Sequence, residues 1–169
     1  MRCGSIEHER KMALNLKRFF ERQPALAPHI QLGKRGERSA RDYLAHSEGY
    51  RIVAFNVEIP LGRGRDARKI FGEIDIVAYD GDTLAFVEVK TRASGEVAGP
   101  ERNVNLRKQR QIARAARRYR QLMKVVNEPY RYDVVTVLAG AEVEKLELMR
   151  GYFDDRVFLR ARFFQSEYY

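Results

Sequence analysis

The sequence holds one cysteine, Cys3, which excludes an intrachain disulfide and a thiolate zinc cluster. A lone thiol near a terminus fits a reducing compartment. The three histidines, His8, His29 and His46, lie scattered, without the spacing of metal ligands. No apolar run approaches the about 18 residues a membrane span needs, so no membrane partner is expected. The N-terminus carries Glu7 and Glu9, and Asn15 and Lys17 interrupt its apolar stretch, which argues against a secretory leader. The expected location is therefore cytoplasmic. Gly62-Arg63-Gly64-Arg65 lacks the Lys-Ser/Thr of a phosphate-binding P-loop, and no internal repeat is visible.

Acidic residues are scarce where basic ones gather. The 169 residues carry a net charge of +9, which favours a polyanionic partner. From Glu101 to Lys124 nine Lys and Arg stand against one acid, so this segment supplies +8 of the surplus. A concentrated stripe is a better electrostatic footprint than an even scatter.

Periodicity predicts one mixed-sheet domain. Residues 1–32 read as a basic extension with a short amphipathic helix ended by Pro24 and Pro28. A first core helix is expected from Gly33 to Glu48, and a strand from Tyr50 to Ile59. A basic loop over Pro60–Phe71 follows, then strands over Glu73–Tyr79 and Thr83–Thr91 joined at Asp80-Gly81-Asp82. The longest helix is expected over Pro100–Val126, with an apolar stripe of Ile112, Ala115, Ala116, Tyr119, Leu122, Met123 and Val126. Strands over Tyr130–Leu138 and Val143–Met149 complete a domain of residues 33–152. Residues 153–169 form an aromatic and basic tail. The order is α-β-β-β-α-β-β, the α/β class, with a central mixed sheet flanked by helices.

Glu73 and Asp75 share one face of their strand, and Glu88 and Lys90 one face of theirs. The hairpin register decides whether those faces coincide. With Gly81-Asp82 as a two-residue loop, Asp75 lies across from Glu88 and Glu73 across from Lys90. With Asp80-Gly81 as the loop, Asp75 faces Phe86 and Glu88 is its diagonal neighbour. A three-residue loop without a bulge would split the acids between faces. Opposed carboxylates repel, and a hard divalent cation with oxygen ligands relieves them. A lysine beside them suits charge stabilisation at a phosphoryl group. Taken alone, Glu88-Val89-Lys90 is what an ordinary sheet with one wet face usually shows.

Gly72-Glu73-Ile74-Asp75-Ile76-Val77-Ala78, followed by Phe86-Val87-Glu88-Val89-Lys90-Thr91-Arg92, resembles the signature of the YraN-like (UPF0102) family of small bacterial proteins. Gly36-Glu37 with Ala40, Gly49-Tyr50, Asn56, Lys108 and Tyr132-Asp133-Val134-Val135 extend the likeness over residues 33–149. That family is related to the PD-(D/E)XK nucleases and is similar to archaeal Holliday-junction resolvases. The resemblance implies a restriction endonuclease-like αβββαβ core. It implies Asp75, Glu88 and the Val89 carbonyl as metal ligands, Lys90 as the residue that activates or positions water, and Glu37 as an extra acid near the metal. Glu37 is also what a helix N-terminus favours through its dipole.

The expected function is a Mg2+- or Mn2+-dependent endonuclease acting on DNA, branched or otherwise structured. RNA is the weaker alternative, and a homodimer is implied by the resolvase likeness. Arg92, Arg107, Lys108, Arg110, Arg114 and Arg117 are the candidate nucleic-acid contacts. Arg107, Arg110, Arg114, Arg117 and Gln121 fall on one helix face three and four apart, whereas Lys108 extends the apolar stripe toward the sheet. A non-catalytic nucleic-acid-binding module on the same fold is the rival.

Overall fold

The computed structural model describes residues 27–64, 66–93, 104–139 and 144–159. Contacts divide the chain into two units, residues 1–31 and 32–169. The amphipathic helix expected near residues 12–22 lies outside the described residues, as do 94–103, 140–143 and the tail from 160. Among the described residues no helix is long and apolar enough to cross a membrane.

The elements are α1 (Pro28–His46), β1 (Arg51–Arg63), β2 (Lys69–Asp80), β3 (Thr83–Ala93), α2 (Leu106–Leu122), β4 (Tyr130–Ala139) and β5 (Lys145–Phe153), then a 3-10 turn at Asp155–Phe158. They reproduce the expected α-β-β-β-α-β-β order. The sheet runs β1-β2-β3-β4-β5. Neighbours are antiparallel except β3 and β4. A parallel pair needs a crossover, which α2 provides.

Several boundaries differ from the sequence expectation. Pro28 opens α1 rather than ending an earlier helix, because a first-turn proline loses no intrahelical bond. The expected loop over Pro60–Phe71 is mostly sheet, with Pro60 paired to Phe71 and Arg63 to Lys69. β1 is an edge strand, and an edge position tolerates a residue without an N–H. α2 ends at Leu122, leaving Leu122, Met123 and Val126 exposed rather than in the stripe. β5 continues to Phe153, whose ring stacks on Tyr132 at 4.5 Å, and Val157 enters the core, so packing passes residue 152.

One cluster lies under α2, where Ile112, Ala113, Ala115, Ala116 and Tyr119 meet Ile74, Val77, Leu84, Phe86, Tyr132 and Val134. The other lies under α1, where Ala40 and Leu44 meet Ile76, Ala78, Ala85, Val87, Val135 and Val137. Ile74 and Val77 join the same cluster although three residues apart, as do Ala54 and Val57. A regular strand would send such residues to opposite faces. Both strands therefore change phase between those positions. The pairs Phe55–Ile76 and Val57–Ile74 leave Asn56 opposite Asp75 at the change. Asn56 has φ 50°, in the left-handed region that asparagine tolerates better than most residues.

Two glycines bring the helices close. A Cβ on Gly36 would lie 1.8 Å from Thr91 Oγ1, and one on Gly72 would lie 2.8 Å from the Ala115 Cβ. Gly36→Ala is expected to cost about 2 kcal/mol by overpacking, a fall in Tm of roughly 4–8 °C. Adding Thr91→Ala should restore part of it. Thermal unfolding of the single and double variants checks this; equal Tm for Gly36→Ala and the parent would refute the close approach.

Candidate active site where β2 and β3 part

The hairpin adopts the first of the weighed registers. Asp80 pairs with Thr83, and the ladder runs without a break to Ile76–Val87. Gly81 has φ 57° at the first loop position, which is where a type II′ turn needs glycine. Asp75 and Glu88 are the next pair in phase, but the ladder has ended. There the Asp75 Oδ2 accepts a hydrogen bond from the Val89 N–H at 2.7 Å, so a side chain takes over what a strand carbonyl would otherwise receive.

Glu88 follows Leu84 and Phe86 onto the α2 face and is 3% exposed. Lys108 Nζ sits 3.0 Å from its Oε2, and Lys90 Nζ 3.7 Å from its Oε1. The buried Oε2 thus has the Lys108 ammonium as its ion-pair partner. The placement of Lys108 is local. Asn105 caps α2 by accepting from the Lys108 N–H at 2.9 Å, which fixes the turn that carries this side chain.

Burial and then the charge of Asp75 push the Glu88 carboxyl up to about 7, against the pull of Lys108 and Lys90. Burial alone would lower the Lys108 ammonium, but the fields of Glu88, Asp75 and Glu73 hold it above its usual range. Glu37 stands on α1 beside Gly36. Burial raises its carboxyl, a hydrogen bond with Asn56 opposes this, and the charges of Asp75 and Glu73 raise it further. Glu37, Glu73, Asp75 and Glu88 thus sense one another around Asp75.

The two carboxylates are the oxygen donors a hard divalent cation takes. The Lys108 ammonium is paired with one of them, Glu88. Among the described residues no group of three or more His, Cys, Asp and Glu side chains is placed to hold one ion. Glu37 therefore does not complete a three-acid shell with Asp75 and Glu88. Val89 joins the site through its amide, on Asp75.

The other buried acid, Asp133, makes a useful contrast. It is 0% exposed. It accepts from Tyr50 Oη at 2.9 Å, Arg131 Nε at 3.0 Å and Gly151 N at 2.8 Å. A carboxylate satisfied this fully is a structural brace. Glu88, faced by two ammonium groups and an acid, has the character of a functional centre.

The basic candidates separate. Arg92 is half-buried near the end of β3, and Arg107 and Arg114 are exposed on α2. Arg110 Nε donates to the Val157 carbonyl at 2.8 Å, and the Arg117 guanidinium lies 5.4 Å from the Phe158 ring. The expected continuous stripe is therefore divided, two of its arginines bracing the 3-10 turn. Sequence reasoning did not single out Asn56 as the partner of Glu37, nor Arg118, which shares a cleft with Arg63 and Lys69. The basic run over residues 63–69 was a visible signal for that cleft; Arg118 had none without the helix phase.

The Glu88 shift has a consequence for folding. The unfolded chain releases this proton near the ordinary value of 4.5, the folded chain near 7. Stability is fully present below the lower value and falls as pH rises through that window, by about 3 kcal/mol. In chelator, urea unfolding of the wild type should lose this stability relative to Glu88→Gln, which has no proton to release. Parallel pH curves for the two proteins would exclude the assignment.

Comparison with known proteins adds the following. The family model described as "Uncharacterised protein family UPF0102" matches residues 36–137. A UPF0102 protein of Chlorobium limicola is 42% identical over 114 residues, covering 68% of this chain and 79% of the relative. One from Alkaliphilus metalliredigens is 40% identical over 111 residues, covering 66% and 88% respectively. One from Koribacter versatilis is 32% identical over 144 residues, covering 85% and 93%. A solved structure, "Crystal structure of SSO0001", has a TM-score of 0.39 at 15% identity, covering 80% of this chain and 58% of its own.

Proposed function

This chain belongs to the UPF0102 family, and from that premise we propose that it is a metal-dependent endonuclease hydrolysing phosphodiester bonds of DNA, with branched or otherwise structured DNA as substrate. The observation that carries this reading is the buried Glu88, 3% exposed, beside Asp75 and flanked by two lysines where β2 and β3 part. Asp133, a structural brace, is hydrogen-bonded to saturation, whereas Glu88 has two ammonium groups as its neighbours.

Asp75 and Glu88 would hold the ion. When bound, Mg2+ or Mn2+ supplies Lewis-acid stabilisation of the charge that develops on a phosphoryl oxygen. Asp75 is oriented for this by the Val89 amide. Lys90, reaching Glu88 Oε1 at 3.7 Å with its side chain 37% exposed, can offer a proton-bearing ammonium to an incoming phosphate or water. Lys108 neutralises Glu88 and so keeps the buried acid compatible with the fold. Glu37 holds its place through Asn56, at the margin of the pair rather than within it. One observation favours the rival, a binding module without catalysis: Lys108 already satisfies much of the charge of Glu88.

Incubation with labelled linear, nicked and four-way DNA, in Mg2+, Mn2+ or chelator, separates the two. Cleavage is expected only with metal. Asp75→Ala and Lys90→Ala should each lower the rate about 100- to 1000-fold, while binding in chelator persists. If both variants cut as fast as wild type, the chemistry lies elsewhere. Metal-independent binding with no cleavage would leave the binding module.

A further inference from the structure

A second basic site lies beyond the acids. The far part of the β1–β2 hairpin meets α2 in a cleft of about 520 Å3, lined by Pro60, Leu61, Gly62, Arg63, Lys69, Arg118 and Gln121. Three cations line it, and no carboxylate. Among the described residues none of the three forms an ion pair. Arg118 reaches Gln121, at 3.4 Å. Two other surface arginines are neutralised by neighbouring acids, Arg68 by Asp66 and Arg156 by Asp154. Three like charges held together without a counter-ion suit a polyanion.

The place of the cleft identifies which polyanion. Lys69 is six residues before Asp75 along β2, about 20 Å at strand rise. Arg118 is ten residues after Lys108 along α2, about 15 Å at helix rise. Between them Gly72 lies against Ala115, so strand and helix run side by side over that distance. The acids and the cleft are thus two stations on one track, 15–20 Å apart by roughly these two measures. Successive phosphates of a duplex strand advance about 3.4 Å along the axis, so the interval is about four to six base pairs.

We propose that the Arg63–Lys69–Arg118 cleft binds the phosphate backbone of a DNA duplex arm about four to six base pairs from the phosphate held at Asp75 and Glu88. The assignment rests on the reading of those acids as the reaction centre. The β1–β2 hairpin is then a wing that grips the arm, and its contacts carry position rather than base sequence.

The test uses the full chain with Arg63→Gln, Lys69→Gln and Arg118→Gln combined, checked by circular dichroism and Tm. Arg118→Gln alone, at an exposed helix position, serves if the triple variant does not fold. Fluorescence anisotropy with a labelled duplex in chelator, over a salt series, reads affinity apart from cleavage. The triple variant should bind about 10- to 100-fold more weakly near physiological salt, with a salt slope shallower by about 2–3; the single variant should lose about one unit of slope. Hydroxyl-radical footprinting should lose protection at one outer edge of the bound duplex and keep the centre. Equal affinity and slope overturn the cleft assignment while leaving metal-dependent cleavage by the wild type untouched. Variant-sensitive binding without any cleavage supports the cleft and sinks the nuclease reading. Binding to anionic vesicles but not to DNA, abolished by the same substitutions, overturns the assignment in favour of a lipid surface.

Discussion

An ionised carboxylate taken out of water must find positive charge, and at Glu88 that requirement organises its surroundings. Leaving it unpaired would cost several kcal/mol. Lys90 follows it on the same strand face, and Lys108 is brought from another element. The capped start of α2 at Asn105 matters because it sets where Lys108 emerges. The parting of β2 from β3 centres on Asp75. Asp75 uses its carboxylate on the Val89 amide, so the pair beyond Ile76–Val87 is bound through a side chain instead of a regular ladder. A gap of this kind is what lets solvent and a ligand approach a strand otherwise buried on both faces.

The backbone around the site is shaped by a few small or permissive residues. Asn56, left-handed and opposite Asp75, lies where both strands change phase, and it also holds Glu37. Gly36 admits α1 onto Thr91 on one face, and Gly72 admits α2 on the other. The acids thus lie between two closely seated helices, whose packing holds them together against their mutual repulsion.

Much of this was legible in the residues. The Asp80-Gly81-Asp82 turn limited the hairpin to few registers, and the one adopted leaves Asp75 and Glu88 next in phase beyond the last paired residues. Lys108 could be read as sheet-facing because it stands one turn before Ile112 in an apolar stripe. Other features were hidden for identifiable reasons. Pro60 reads as a break unless the strand is known to be an edge, which is a property of the assembled sheet. Leu122, Met123 and Val126 keep helical phase beyond the last turn that has sheet beneath it. Arg110 and Arg117 look like free cations in a periodic pattern, since their partners at Val157 and Phe158 come from a distant short turn. The family likeness over residues 33–149 agrees with the matched span of 36–137.

Among the described residues no strand pairs with the outer edge of β1, which is 13 residues long and carries the exposed Val53 and Phe55. An open strand of that length invites a second copy to add itself and begin a fibre. Here the register slips between Ile52 and Ala54 and again between Pro60 and Gly62, and Asn56 turns left-handed between them. No long, evenly spaced row of amides remains for an incoming chain to match. The same irregularities that shape the strand beside Asp75 thereby guard the protein against runaway sheet stacking.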